Sequence, residues 1–170
     1  MIEFDMPGTI HASSTFNPAH HVTASHYIAQ HHSAGVEILG SRVFQDFPNL
    51  KIIISHGGGA IPYQWSRHRG SHVMLGLEPF EDAARRVYWD MAIYDQESME
   101  MLIKRVSVDN VLFATEMFGA VNAIDPQTGR SFEDVRSLFD AIDWLSDEDR
   151  QKIYEGNARK VYGGRLPSAS

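Results

Sequence analysis

Apolar and polar positions change period several times along the chain, and each change marks an element. Thr9-Ile10-His11-Ala12-Ser13-Ser14-Thr15 is a short β-rich run leading into Phe16-Asn17-Pro18, where proline ends extended pairing. From about Val22 to Phe47, the residues Tyr27, Ile28, Val36, Ile38, Leu39, Val43 and Phe44 recur at helical spacing, which predicts one long helix stopped by Phe47-Pro48-Asn49. Ile52-Ile53-Ile54-Ser55 carries no charge, as a strand covered on both faces requires, so residues 50–55 read as strand. A helix is expected from about Ala60 to Leu75, a short helical segment after Pro79, an alternating strand Val87 to Ala92, a helix from Asp95 to Arg105 and an apolar strand Val108 to Ala114. Asp125-Pro126-Gln127-Thr128-Gly129-Arg130 marks a turn before a helix from Phe132 to Leu145. Ser146, with Asp149 beyond it, resembles a capping box and launches a final helix to about Tyr162, after which Gly163 to Ser170 reads as a flexible tail.

Strands thus alternate with helices four times, which predicts an α/β fold with a parallel sheet and right-handed crossovers. Two architectures satisfy the pattern: an open doubly wound sheet, or part of a (β/α)8 TIM barrel with outer helices and extra carboxyl-terminal helices. A closed barrel takes roughly 200 residues or more. With 170 residues, four units make only half a barrel. The hydrophobic fraction of 43% supports one core, so residues 1–162 are expected to form a single domain. A formal net charge of -7 without any lysine or arginine block lacks the electrostatic footprint of nucleic-acid binding. The lack of cysteine removes disulfides and thiol nucleophiles. The start MIEFDMPGTI has neither a basic nor an apolar leader region, and no apolar run approaches the roughly 20 residues a bilayer needs. A cytoplasmic location away from membranes is therefore the expectation.

Three strand ends carry polar side chains: His11, His56 and Glu116. Parallel α/β folds bind ligands outside the carboxyl ends of their strands, so these three are candidates for one cavity. Imidazole and carboxylate suit divalent zinc or manganese, although two ligands alone are an incomplete set. Gly57-Gly58-Gly59 after His56 lets backbone and ligand approach closely. Tyr27 is a candidate proton donor, and Arg67 a candidate clamp for a substrate carboxylate. His20, His21, His26, His31 and His32 scatter around a helix and its approach, which favours surface or capping roles. His68 and His72 share a helix face without the glutamate of a zinc-protease motif and read as solvated. His-Gly-Gly-Gly also occurs in esterases, but no G-x-S-x-G elbow is present, and the Walker and dinucleotide fingerprints fail as well.

The runs Ile10 to Asn17, His26-Tyr27, Ile54 to Gly70, Asp109 to Gly129 and Tyr154 to Tyr162 together resemble 4-oxalomesaconate hydratases. These sit in an amidohydrolase-related group with the aminocarboxymuconate semialdehyde and resorcylate decarboxylase types. Most of that group carries aspartate after the eighth barrel strand, whereas the hydratase branch has Glu-Met-x-Gly-Ala, as Glu116 to Ala120 does here. The resemblance implies that His11, His56 and Glu116 end the fifth, sixth and eighth strands. It implies His11 and Glu116 as metal ligands, of zinc or another divalent ion, His56 and Tyr27 in proton transfer, and Arg67 and Asn17 on a small carboxylate substrate. The implied reaction is reversible hydration of an unsaturated oxo-tricarboxylate in aromatic-compound breakdown. A metal-dependent decarboxylase or hydrolase of the same group, or a catalytically silent half-barrel subunit, is the alternative. The family's His-x-His pair from the first strand has no counterpart here. The chain is therefore expected to correspond to a carboxyl-terminal half that forms a homo-oligomer or pairs with an amino-terminal half-barrel.

Overall fold

A computed structural model describes residues 1–13, 15–16, 22–117 and 119–167. Four parallel strands form its sheet: β1 (Gly8–Ile10), β2 (Ile52–Ile54), β3 (Tyr88–Asp90) and β4 (Val111–Leu112). Their spatial order is β1-β2-β3-β4, the order of the chain. A doubly wound sheet reverses its strand order at a switch point. This one never reverses, so the structure is an arc of a (β/α)8 barrel.

The crossovers are α1 (Tyr27–Leu39) with the short α2 (Val43–Asp46), then α3 (Trp65–Met74) with α4 (Phe80–Ala84), then α5 (Gln96–Val106). Beyond β4 follow α6 (Val135–Asp140), α7 (Asp147–Gln151) and α8 (Asn157–Tyr162), the last two joined by a wide helical turn at Lys152–Gly156. Alternation along the strands separates two apolar faces. Ile52, Ile54, Trp89 and Val111 pack on the crossover helices, while Ile53 and Leu112 point the other way and are covered by Val161 of α8. Lys51 ties that cover down, donating to the Val161 carbonyl at 3.1 Å and pairing with Asp5 at 2.7 Å. Asn157 adds two bonds of 2.7 Å to the carbonyls of Val108 and Val111.

The strands and helices are shorter than their sequence patterns. The long helix expected from Val22 to Phe47 breaks after Leu39, because the Ser41 hydroxyl donates to the Ile38 carbonyl at 2.7 Å and accepts the Val43 amide at 3.2 Å. Residues of the expected strand Val108–Ala114 split in the same way. Ser107 caps a single turn at Val108–Asn110 before β4 begins. The helix expected from Phe132 starts only at Val135, since the Glu133 carboxylate bonds the preceding loop and Asp134 supplies the cap. Ser146 does cap α7, accepting the Asp149 amide at 3.1 Å. Asp95 does the same for α5 through Ser98 at 2.8 Å.

His68 and His72 were expected to be solvated and are instead buried on the inner face of α3. The α3 helix lies against α4 through Phe80, whose ring is 5.4 Å from that of His68 and 5.0 Å from that of His72. His68 also faces His32 of α1 at 5.3 Å, and His68 Nε2 and His32 Nδ1 have no hydrogen-bond partner among the described residues. Burial, and then the neighbouring His32, His72 and Arg67, hold His68 below its ordinary value of 6.5.

Two predictions follow from this packing. The Gly59 φ is +62°, and a Cβ there would lie 2.6 Å from the Ile28 carbonyl of α1. Gly59→Ala is expected to destabilise by at least about 1–3 kcal/mol, whereas Gly70→Ala, in open space on α3, should stabilise by about 0.5–1 kcal/mol. Urea unfolding of the two variants measures this, and equal effects would refute the close approach. Separately, the unfolded chain binds a proton at His68 near 6.5 that the folded ring refuses, so stability falls as pH drops below that value. Thermal unfolding at about pH 7.5 and about pH 5.5 should show a smaller pH-dependent loss for His68→Phe than for wild type.

Candidate functional site

The carboxyl ends of the strands deliver the expected side chains to one place. His11 follows β1 by one residue, His56 follows β2 by two, and Glu116 follows β4 by four. The His11 and His56 ring centroids are 5.7 Å apart, and the His56 Nδ1 lies 3.5 Å from the Glu116 Oε2. Tyr27, the first residue of α1, stands edge-on to His11 at 5.4 Å. Tyr27, His56 and Glu116 line a cavity of about 430 Å³ together with Tyr63, Tyr94 and Ser98. Apolar side chains including Ile28, Ile93, Met101 and Val121 complete its wall.

Each polar member is held by a neighbouring strand end. His56 adopts a left-handed backbone, φ 53°, a conformation that costs a residue with a Cβ. The Asp90 carboxylate offsets that cost by accepting the His56 amide at 2.8 Å, and the same oxygen accepts the Ala92 amide at 3.2 Å. Burial raises the Asp90 carboxyl above the usual carboxylate value, with the His56 and Ala92 amides opposing the rise. His56 Nδ1 donates to the Ala92 carbonyl at 3.2 Å. Glu116 is gripped by Tyr94, whose hydroxyl donates to Oε2 at 2.6 Å. Burial, followed by the Glu116 carboxylate, pushes the Tyr94 phenol well up, so it stays a donor.

The loop behind Glu116 hangs on Glu133, a fully buried residue that sequence reasoning passed over. Its carboxylate accepts the amides of Gly119 at 3.2 Å, Ala120 at 2.7 Å, Val121 at 2.6 Å and Asn122 at 3.2 Å. Burial alone would raise the Glu133 carboxyl, and these four amides bring it below its ordinary value instead. A buried acid followed by a helix cap was the available signal, but the pattern of Phe132 to Leu145 looked helical throughout.

His31 overturns its expected surface role. It is fully buried, with its ring 5.1 Å from that of His11 and 4.7 Å from that of His56. Burial first, then His56 and His11, lower it to about 4. His11, His31 and His56 each present a nitrogen within 4.8 Å of the others, a grouping that can surround a metal ion. The period of α1 held the clue: His31 is one turn from Tyr27, on the same face.

Arg67 has no place in this cavity. The inner face of α3 is fixed by the buried Trp65, His68 and His72, which turns Arg67 toward solvent, where its Nε donates to Gln64 at 3.3 Å. Arg69 pairs with Glu81 at 2.6 Å. Asn17, His20 and His21 lie outside the described residues.

Comparison with known proteins agrees with the fold. An amidohydrolase family model matches residues 1–164. The 2-keto-4-carboxy-3-hexenedioate hydratase of Sphingobium sp. is 43% identical over 164 residues, 95% of this chain and 48% of that protein. The crystal structure of 4-oxalomesaconate hydratase from Rhodopseudomonas palustris superposes with a TM-score of 0.84 at 39% identity, over 95% of this chain and 47% of that one. A 2,6-dihydroxybenzoate decarboxylase from Rhizobium shares the fold at a TM-score of 0.68 and 20% identity, over 94% of this chain and 51% of that one. The chain thus spans about half the length of the relatives it matches.

Hydrogen exchange tests the Glu133 anchor. In wild type the amides of Ala120 and Val121 should be protected, and in Glu133→Leu, which offers them no acceptor, that protection should be lost. Unchanged protection would show that the loop is held by something else.

Proposed function

The chain belongs to the amidohydrolase family, and on that footing we propose that it forms the carboxyl-terminal wall of a metal-dependent hydratase. The reaction is addition of water across the conjugated double bond of an unsaturated oxo-carboxylate such as 4-oxalomesaconate, in aromatic-compound degradation. The observation that carries this reading is the approach of Glu116 to His56 at 3.5 Å, at a cavity that Tyr27 also lines. Support comes from the hydratase relatives, which match nearly all of this chain at 43% and 39% identity.

The donor set fits a divalent cation. His11 donates Nδ1–H to the Ala12 carbonyl at 3.0 Å, the second-sphere bond that orients a ligating imidazole and leaves Nε2 bare. Tyr94 fixes one oxygen of Glu116 in the same sense. His11 and Glu116 would hold the metal, most suitably zinc. Bound there, the ion would supply positive charge to an oxo-acid as negative charge spreads into its carbonyl system. His56, with Nδ1 bound to the Ala92 carbonyl, keeps Nε2 free to accept a proton from the attacking water. Tyr27, which lines the same cavity, is the acid that delivers a proton to carbon.

Closing the site takes the other strands of a barrel, supplied by the same polypeptide or by another chain. The outer edges of β1 and β4 are where such strands would pair, since neither has a further neighbour among the described residues. A homo-oligomer is the competing way to cover them. No helix among the described residues is long and apolar enough to cross a membrane.

The test is an assay for loss of the conjugated substrate, with zinc and a complementary amino-terminal half present. His56→Asn is expected to lower kcat by about 10²–10⁴-fold with a small change in KM. Release of carbon dioxide in place of hydration would turn the reading into a decarboxylase, and an unaltered rate in His56→Asn would remove His56 from the chemistry.

A further inference from the structure

The three imidazoles of the site share a spacing but not an arrangement of protons. A carbonyl oxygen only accepts, so His11 and His56, bonded through Nδ1 to the carbonyls of Ala12 and Ala92, carry their protons on Nδ1. Their Nε2 atoms are bare. A backbone amide only donates, so the Ala12 N–H, 3.0 Å from His31 Nε2, requires that nitrogen to be bare as well. In His31, however, the bare nitrogen is the one already occupied. A neutral ring then has its proton on Nδ1, which is buried without a hydrogen-bond partner among the described residues. Neither nitrogen of His31 is therefore ready to bind a cation: one lone pair is taken by the backbone, and the other nitrogen is protonated.

Ala12 is gripped at both of its peptide groups. Its N–H, in the peptide that joins it to His11, goes to His31, and its carbonyl, in the next peptide, goes to His11, so the orientation of the Ala12 backbone decides where the His11 ring points. An apolar side chain would fill the space under His11 and His56 without burying an unpaired N–H. What such a side chain lacks is the acceptor for Ala12.

We propose that His31 is a positioning residue, not a metal ligand: its Nε2 locks the peptide between His11 and Ala12, and with it the Ala12 backbone whose carbonyl holds the His11 ring, and thereby aims the Nε2 of His11 into the site. This assignment rests on the reading of His11 as a metal-binding residue. His31 contributes no bond to the ion, and it acts through a backbone unit that belongs to neither partner's side chain.

Two measurements on the full chain test the assignment. Imidazole nitrogen NMR of the metal-free protein should show His31 protonated on Nδ1 and bare on Nε2, and this pattern should persist when zinc is added. His31→Leu, which removes the acceptor, should weaken zinc binding by about 10–100-fold in competition with a chromophoric chelator. His31→Gln, whose amide oxygen can take the Ala12 N–H, should bind zinc close to wild type. A His31 ring protonated on Nε2, a His31 signal that shifts to a zinc-bound form, or equal affinities in wild type and His31→Leu would each overturn the proposal. So would a His31→Gln as weak as His31→Leu. A wild-type chain that takes up no zinc overturns the metal reading itself and this assignment with it, whereas zinc binding that ignores His31 overturns only the latter. Should His31→Leu fail to fold, the NMR pattern and His31→Gln still decide.

Discussion

Asp90 ends β3 with its carboxylate turned back along the sheet, where it accepts the amide of His56 from the neighbouring strand. That bond holds His56 in a left-handed backbone conformation that a histidine adopts only under constraint. Everything that gives the site its shape follows from it. With His56 fixed, the three glycines after it turn away sharply enough for α1 to pack against Gly59, and α1 brings Tyr27 and His31 over the strand ends. Asp90 also accepts the Ala92 amide, and the Ala92 carbonyl receives the His56 ring. One carboxylate and the backbone of one residue, Ala92, thus fix both the backbone and the side chain of a single histidine.

The same arrangement recurs around the sheet. Tyr94, beyond β3, holds Glu116, which follows β4. His31, on α1, holds the peptide next to His11, just beyond β1. No polar residue of the site is positioned by its own strand alone, because a strand of two or three residues is too short to orient a side chain beyond its end. Adjacent elements supply the missing constraint, and parallel sequential order makes adjacent elements consecutive in the chain.

That dependence explains what the sequence could reveal. Apolar runs ending in His11, His56 and Glu116 were legible because burial on both faces leaves an unbroken hydrophobic signature and the polar residue marks its end. Choosing between the doubly wound sheet and the barrel arc was not possible from alternation, since both have it; only strand order separates them. Helix limits were overestimated wherever a side chain diverts the backbone, as Ser41 does after α1 and Glu133 does before α6. The burial of His31, His68 and His72 is not legible in the sequence because histidine is ambivalent in periodicity. Its burial depends on tertiary neighbours, here His11, His56 and Phe80, that lie far away in sequence.

The wall of the cavity holds three tyrosines, one histidine, one carboxylate and a spread of aliphatic side chains, and among its described residues there is neither lysine nor arginine. A ligand bearing several carboxylates is therefore not drawn to this wall by any basic side chain, and a bare Glu116 carboxylate would repel it. Attraction beyond what a cation held at Glu116 would supply has to originate on the opposite side, from basic groups facing inward. Labour would then be divided across the cleft, with this surface selecting for shape and unsaturation and its counterpart selecting for valence. Substitutions that retune which carbon skeleton fits would fall on this side, and those that retune how many acidic groups are tolerated would fall on the other.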